Sequence, residues 1–120
     1  MKKNNKAKNK GLNQKDIETG YLYFTSAGQF RAVLAMKGEF MIYAPSSEGL
    51  EASDLKPSDM PFENSPFKKC QIVTFAKKDY QEFEFNGVTA IKHQLSKLQI
   101  DQAEAQCNAK TAVSELLKES

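Results

Sequence analysis

The chain has few of the residues on which enzyme and metal chemistry depends. Of its 120 residues, one is histidine and two are cysteine. The sequence sets no nucleophile or carboxylate beside His93, so a structural role is the simpler interpretation of this histidine. Cys70 and Cys107 lack the paired CxxC or HxxxH spacing of a zinc site, and no Gly-rich phosphate-binding loop is present. We therefore expect no enzymatic activity, no metal and no cofactor.

Long apolar runs are also missing. No stretch approaches the roughly 20 apolar residues that span a bilayer. The lysines at the start are followed by asparagines rather than by the apolar core of a signal peptide. Two cysteines are fewer than a disulfide framework normally uses, so buried free thiols are expected. These features predict a cytoplasmic protein that has no membrane partner.

Acidic residues are absent from the first fifteen positions, which hold six lysines, while the remaining 105 residues have a net charge of −4. The lysine-rich segment has too few apolar side chains to fold alone, so residues 1–16 are predicted to form a disordered basic tail. Residues 17–120 then form a single domain, because one core typically takes roughly 100–150 residues. The charge of the tail suits a polyanionic partner.

The first part of the domain predicts a three-stranded antiparallel meander over residues 21–25, 29–35 and 39–44. Ser26-Ala27-Gly28 and Met36-Lys37-Gly38 each suit a three-residue loop with glycine in the left-handed final position. This register gives one wholly apolar face, made of Leu22, Phe24, Phe30, Ala32, Leu34, Phe40, Ile42 and Ala44. The opposite face carries Tyr21, Tyr23, Arg31, Val33, Met41 and Tyr43, with Tyr23, Arg31 and Tyr43 in one row.

Residues 45–67 are predicted to be a long ordered loop. They contain all four prolines and have five acidic residues against one lysine, a net charge of −4. A short helix over 48–55 would fit, and unstructured connections of this length are often functional or mobile. A solvated acidic surface is the simpler interpretation. Attraction between this acidic loop and the basic tail would compete with an external polyanion.

The second part of the domain predicts a strand over 69–76 and a hairpin of residues 80–85 and 88–93. Asn86-Gly87 between alternating strands specifies a type I′ turn. Ser96 with Gln99 forms a capping box that begins one long helix at about 97–118. Its core stripe is predicted as Leu98, Gln102, Ala105, Ala109, Ala112 and Leu116. We expect this helix to cover the sheet, with helix pairing in a homodimer as the alternative.

The fold class is therefore α+β, an antiparallel meander of about six strands that curls into a small barrel or stays an open sheet, with one long C-terminal helix. Its element order is similar to that of OB-type barrels, whose sheets stack bases on aromatic side chains. This favours an accessory protein that binds nucleic acid, preferably a single strand. The predicted binding residues are Lys2, Lys3, Lys6, Lys8, Lys10, Lys15, Tyr21, Tyr23, Arg31, Tyr43, Lys68, Lys69, Lys77 and Lys78.

The alternative is a protein-interaction module, such as a small inhibitor or an accessory subunit. It would act through the acidic loop or the Ala-rich C-terminal helix and needs no special chemistry. The acidic balance of the domain favours this alternative, because phosphates repel carboxylates. The choice between DNA and RNA stays open.

Overall fold

In the computed structural model, which describes residues 11–118, those residues form seven β-strands and three α-helices. The strands are β1 Tyr21–Phe24, β2 Phe30–Lys37, β3 Phe40–Pro45, β4 Lys68–Gln71, β5 Phe83–Phe85, β6 Val88–Ala90 and β7 Lys92–Gln94. The helices are α1 Ile72–Ala76, α2 Lys97–Gln106 and α3 Lys110–Lys118. Short 3-10 turns lie at Gln14–Asp16 and Ala52–Asp54.

The strands form two antiparallel sheets, so the α+β class is confirmed. The larger sheet has the order β4-β3-β2-β1-β7, and β5 pairs with β6 in a separate two-stranded sheet. The larger sheet does not close into a barrel, because β4 and β7 remain its two edges. Of the two predicted alternatives, the open sheet is the one observed, and the similarity to OB barrels does not extend to closure.

The hairpin between β1 and β2 has the predicted register. Tyr23 lies opposite Arg31, and the Thr25 N–H donates to the Gln29 carbonyl at 2.9 Å, which closes a three-residue loop. Gly28, the last residue of the loop, has a φ of 84°. A Cβ at Gly28 would also lie 2.6 Å from the Leu50 carbonyl oxygen, so glycine lets the acidic loop pass close by.

The hairpin between β2 and β3 differs from the prediction. Lys37 pairs with Phe40, so the loop has two residues, and Gly38 is its first residue with a φ of 61°. The register shifts between Val33 and Ala35, and this bulge restores the predicted faces. As a result Tyr43 lies opposite Val33, and Arg31 lies opposite Pro45. Tyr23, Arg31 and Tyr43 therefore do not form a straight row.

One face of the large sheet carries the main core. The acidic loop, α2, α3 and the β5–β6 hairpin cover this face, and Phe40 is the one residue predicted for this sheet face that stays largely exposed. Two glutamines of α2 hold the loop: the Gln102 Oε1 accepts the Met60 N–H at 2.7 Å, and the Gln106 Oε1 accepts the Phe62 N–H at 3.0 Å. These hydrogen bonds attach the backbone of the loop to α2.

The other face of the large sheet is covered by α1 and by residues 11–18. The predicted strand over 69–76 ends at Gln71, and the chain then turns into α1. Ile72, Phe75 and Ala76 have helical i, i+3, i+4 spacing and are buried in a second core on this face. This burial of a helical face prevails over the strand preference of the isolated segment.

The C-terminal region has two helices where one was predicted. Asn108 has a φ of 59°, and the Ala109 N–H donates to the Glu104 carbonyl at 2.9 Å, which ends α2. Asparagine adopts this left-handed conformation more readily than most residues. The predicted capping box at Ser96 is confirmed, since its Oγ accepts the Gln99 N–H. The predicted stripe is wrong in α2, where Leu98 is exposed and Ala103 is buried.

The type I′ turn is confirmed, because Asn86 and Gly87 both have positive φ and Phe85 pairs with Val88. The predicted strand over 88–93 is interrupted at Ile91. Its second half becomes β7, which pairs with β1 at the sheet edge. Between residues 11 and 118, each helix is too short or too polar to cross a membrane.

Candidate nucleic-acid interface

Tyr23, the centre of the predicted base-stacking surface, is completely buried. Its hydroxyl donates to the Asp16 carbonyl at 2.9 Å and accepts the Glu18 N–H at 3.0 Å. Its ring packs edge-on against Phe75, with centroids 5.5 Å apart. Burial raises the pKa of the Tyr23 hydroxyl well above its usual range. Tyr23 has no free face for a base, so the predicted surface is not an exposed stacking platform.

Arg31 is partly buried among aromatic rings. Its Cζ lies 4.8 Å from the ring centre of Tyr43 and 5.4 Å from that of Phe75. The Nε donates to the Gln29 Oε1 at 2.7 Å, and Nη1 donates to the Tyr80 hydroxyl at 3.2 Å. The Tyr80 hydroxyl in turn donates to the Phe75 carbonyl at 2.7 Å. The guanidinium is therefore fixed in position by the fold.

A pocket of about 300 Å³ opens beside this guanidinium. Its lining has two lysines and no carboxylate, and comprises Arg31, Tyr43, Cys70, Thr74, Phe75, Lys77 and Lys78. Burial raises the pKa of both Tyr43 and Cys70, and the Arg31 charge opposes part of that rise. Both groups are therefore neutral near pH 7 and do not cancel the positive charge of the pocket.

The strand at the sheet edge adds further lysines. Lys68 lies opposite Tyr43 on the face that holds the pocket. Lys69 lies opposite Ile42 and so points to the other face, with its Nζ 5.7 Å from the ring centre of Phe40. Among residues 11–118, no carboxylate comes within ion-pair distance of Arg31 or of the lysines around the pocket. This cluster of positive charge is not neutralised by the described part of the domain.

The basic tail joins the domain next to the pocket. Gly11 packs against the end of α1, where a Cβ would lie 2.8 Å from the Ala76 carbonyl oxygen and 3.2 Å from the Lys77 Cα. The Leu12 N–H donates to the same carbonyl at 2.7 Å. Residues 11–16 of the predicted tail thus belong to the packed domain, and Lys15 is exposed in a 3-10 turn. The remaining tail lysines, Lys2, Lys3, Lys6, Lys8 and Lys10, lie outside the described residues.

Tyr21 belongs to a different surface. The Lys92 Nζ lies 5.1 Å from its ring centre, and Lys92 also forms an ion pair with Glu18. The structure therefore brings together Arg31, Tyr43 and three lysines, and leaves Tyr21 apart. Sequence reasoning missed Phe75 and the groups that fix Arg31, because they become neighbours only when α1 folds over the sheet.

The acidic loop lies on the face of the sheet opposite the pocket. Its apolar residues pack into the main core, and its five acidic residues are all exposed, namely Glu48, Glu51, Asp54, Asp59 and Glu63. The five acidic residues of the loop and the cations of the pocket therefore lie on opposite faces of the sheet. Attraction between tail and loop would require the tail to reach around the domain.

His93 has a structural role. It is buried between the rings of Phe83 and Phe85, and its Nε2 lies 2.7 Å from the Phe83 carbonyl oxygen. Residues 11–118 contain no group of three or more His, Cys, Asp or Glu side chains that could hold a metal ion. The lining of the Arg31 pocket consists mainly of cations and aromatic rings.

A second concave surface lies between α2 and the acidic loop. Its cavity of about 470 Å³ is lined by Pro57, Ser58, Ser96, Leu98, Gln99 and Gln102. Leu98 is 81% exposed there, the largest exposure among the large apolar residues described.

The chain matches no protein-family model, no curated protein and no solved structure.

Proposed function

We propose that the protein binds nucleic acid, preferably a single strand, and catalyses no reaction on it. The observation that carries this proposal is the Arg31 pocket, a cluster of positive charge without a described carboxylate partner at the point where the lysine-rich tail joins the domain. Cations from two sources, tail and domain, can therefore contact one phosphate backbone. Binding of this kind releases counterions and is strongly salt-dependent.

The geometry favours recognition of phosphates over recognition of bases. Tyr23 is buried, and Tyr43 is only 8% exposed with its ring covered by Arg31 and Phe75. Phosphate contacts position a protein on its target but carry no sequence information. The pocket is concave, and a flexible single strand can bring a phosphate into a concave site more readily than a stiff duplex. We therefore expect low sequence specificity with a preference for single strands.

The test measures fluorescence anisotropy with a single-stranded DNA, the same sequence as RNA, and the duplex, at several salt concentrations. On a plot of log affinity against log salt, each lost phosphate contact reduces the slope by about 0.7 for a single strand. The double variant Lys77→Gln/Lys78→Gln should thus flatten the slope by roughly 1.4, and removal of residues 1–10 should flatten it further.

Lys97→Gln is the matched control, because this exposed lysine lies on α2, across the sheet from the pocket. It should leave the slope unchanged. Equal slopes for the double variant and the control would contradict a role for the pocket. An unchanged slope after removal of residues 1–10 would contradict a role for the tail.

The second candidate is a protein-interaction module that acts through the acidic loop and α2. It is favoured by Leu98, whose exposed side chain borders a cavity next to Pro57. A photo-crosslinking residue at position 98 would then capture a protein in cells, whereas one at position 77 would capture nucleic acid under the first proposal. The crosslinked material at the two positions distinguishes the candidates.

We also propose a cytoplasmic location. Cys70 and Cys107 are both free thiols in the folded domain. Free thiols persist in reducing compartments, whereas secreted proteins of this size usually form disulfides. Fractionation of cells that express the tagged protein tests this proposal, and recovery in a secreted or organellar fraction would contradict it.

A further inference from the structure

We infer that the Arg31 pocket binds a phosphate monoester, so that the protein prefers a nucleic-acid strand with a terminal phosphate over the same strand with a hydroxyl end. The inference rests on the proposed function and adds the chemical group that the pocket recognises. It rests on the free donors of Arg31, on the cations that line the pocket and on the volume of the pocket.

Arg31 has hydrogen-bond donors that are free to bind a phosphate. A guanidinium has five N–H groups, and Arg31 uses two of them, one to Gln29 and one to Tyr80. The other three have no partner among residues 11–118, although the guanidinium lines the pocket. The remaining donors belong to Nη1 and Nη2, and guanidinium N–H groups form strong, charge-assisted hydrogen bonds to phosphate oxygens. Because its position is fixed, Arg31 loses little conformational freedom when it binds.

The charges around the pocket also favour a phosphate monoester. Two walls of the pocket are Tyr43 and Phe75, whose rings exclude water from one side of the guanidinium. Lys77 and Lys78 also line the pocket, and the Thr74 hydroxyl can donate a further hydrogen bond. A phosphate monoester carries about −1.5 to −2 charges at pH 7, whereas a phosphate within a strand carries a single negative charge. Three cations around one site therefore favour the monoester.

The volume of the Arg31 pocket limits how much of a strand can enter it. At about 300 Å³, the pocket stands at the lower end of the roughly 300–1,000 Å³ found for small-molecule sites. This volume suits one terminal group and the adjoining sugar, not a length of strand. The rest of the strand would then lie along lysines outside the pocket, including those of the tail. The pocket and the tail would thus bind the same molecule.

The experiment compares four fluorescent strands of one sequence, with a 5′-phosphate, a 3′-phosphate, both or neither, in binding to the full chain at constant salt. We expect at least about tenfold tighter binding of one phosphorylated end, as one or two hydrogen bonds to a charged group provide. The position of the preferred phosphate identifies which end enters the pocket. At constant ionic strength, inorganic phosphate should compete more strongly with the phosphorylated strand than with the hydroxyl-ended strand.

Two variants separate the pocket from the general charge. Arg31→Lys keeps the charge but loses the planar guanidinium donors, so the preference should fall to about one while the hydroxyl-ended strand still binds. Because Arg31 packs against Tyr43 and Phe75 of the second core, the surface variant Lys77→Gln/Lys78→Gln provides an independent test and should reduce the preference too. Lys97→Gln should keep it.

The outcomes are distinct. A preference for either phosphorylated end that Arg31→Lys removes supports the inference. Equal binding of phosphorylated and hydroxyl-ended strands overturns the inference and leaves the proposed function intact. A preference that survives in both pocket variants also overturns it. Failure of every strand to bind overturns the proposed function itself.

Discussion

Substitution of Tyr23 decides whether the tyrosine face is a binding surface or a core. In the structure this side chain is fully buried under α1 and ties the segment before β1 to the sheet through two hydrogen bonds. Tyr23→Phe removes only the hydroxyl, whereas Tyr23→Ala removes the ring as well. Both changes should lower the free energy of unfolding, and Tyr23→Phe should leave affinity for nucleic acid unchanged.

The magnitudes follow from the contacts. Tyr23→Phe leaves the Asp16 carbonyl and the Glu18 N–H without their partner, and two hydrogen bonds at about 0.5–1.5 kcal/mol each give a loss of about 1–3 kcal/mol. Tyr23→Ala also opens a cavity beside Phe75 and Tyr80 and should cost about 3–5 kcal/mol. The larger loss is a substantial part of the roughly 5–15 kcal/mol that stabilises a small domain.

Urea denaturation measures both losses, and Tyr21→Phe is the matched control because Tyr21 is only partly buried. With a slope of about 1–3 kcal/mol/M, a loss of 1.5 kcal/mol lowers the urea midpoint by roughly 0.5–1.5 M. Anisotropy with the single-stranded probe measures binding by the same variants. The reasoning would be refuted if Tyr23→Ala kept the stability of the wild type but lost affinity for the strand.

Three further predictions concern the second half of the domain. Asn108→Ala should lower the free energy of unfolding by about 1–2 kcal/mol because of the left-handed backbone at the end of α2, and Asn108→Gly should not; equal losses in urea melts would contradict this. Burial raises the pKa of the Cys107 thiol from 9.0 to about 11. The contribution of the neutral thiol to the free energy of unfolding is therefore complete below pH 9 and is lost as the pH rises toward 11. In urea melts at pH 8, 9 and 10, the free energy of unfolding of Cys107→Ala should decline less steeply than that of the wild type. Gln102→Ala leaves the Met60 N–H unpaired and should cost about 1–3 kcal/mol, to the same extent at low and high salt; a strong salt dependence would show that charges hold the loop instead.

Hairpins could be predicted from the sequence wherever a short loop determines the register by itself. Ser26-Ala27-Gly28 and Asn86-Gly87 admit one favourable turn each, and both turns are observed. The loop before β3 could not be decided in this way, since Gly38 fits the last position of a three-residue loop and the first position of a two-residue loop. The bulge between β2 and β3 then compensates for the difference, so the predicted faces are largely right although the row across them is not.

The candidate site could be predicted only in part, because its geometry depends on contacts distant in sequence. The exposure of the lysines near β4 and the position of Arg31 on the face opposite the main core could be predicted from charge and from the sheet register. The burial of Tyr23 was not, since it results from a five-residue helix whose segment is rich in strand-forming residues. The residues that such a short helix buries cannot be identified from its own sequence. They can be identified only when the surface on which the helix packs is known.

Gln102 and Gln106 attach the acidic loop to α2 through hydrogen bonds that do not depend on the charge of the loop. Amide oxygens hold the backbone of the loop at Met60 and Phe62, and all five acidic residues are exposed. Of these, Glu51 and Asp54 use their carboxylates locally, in the capping box of the 3-10 turn. Because amides do not titrate, neither pH nor salt loosens this anchor. The charge at Glu48, Asp59 and Glu63 can therefore be changed by mutation while the backbone beneath stays in place. The domain thus carries a surface whose charge can change independently of its fold.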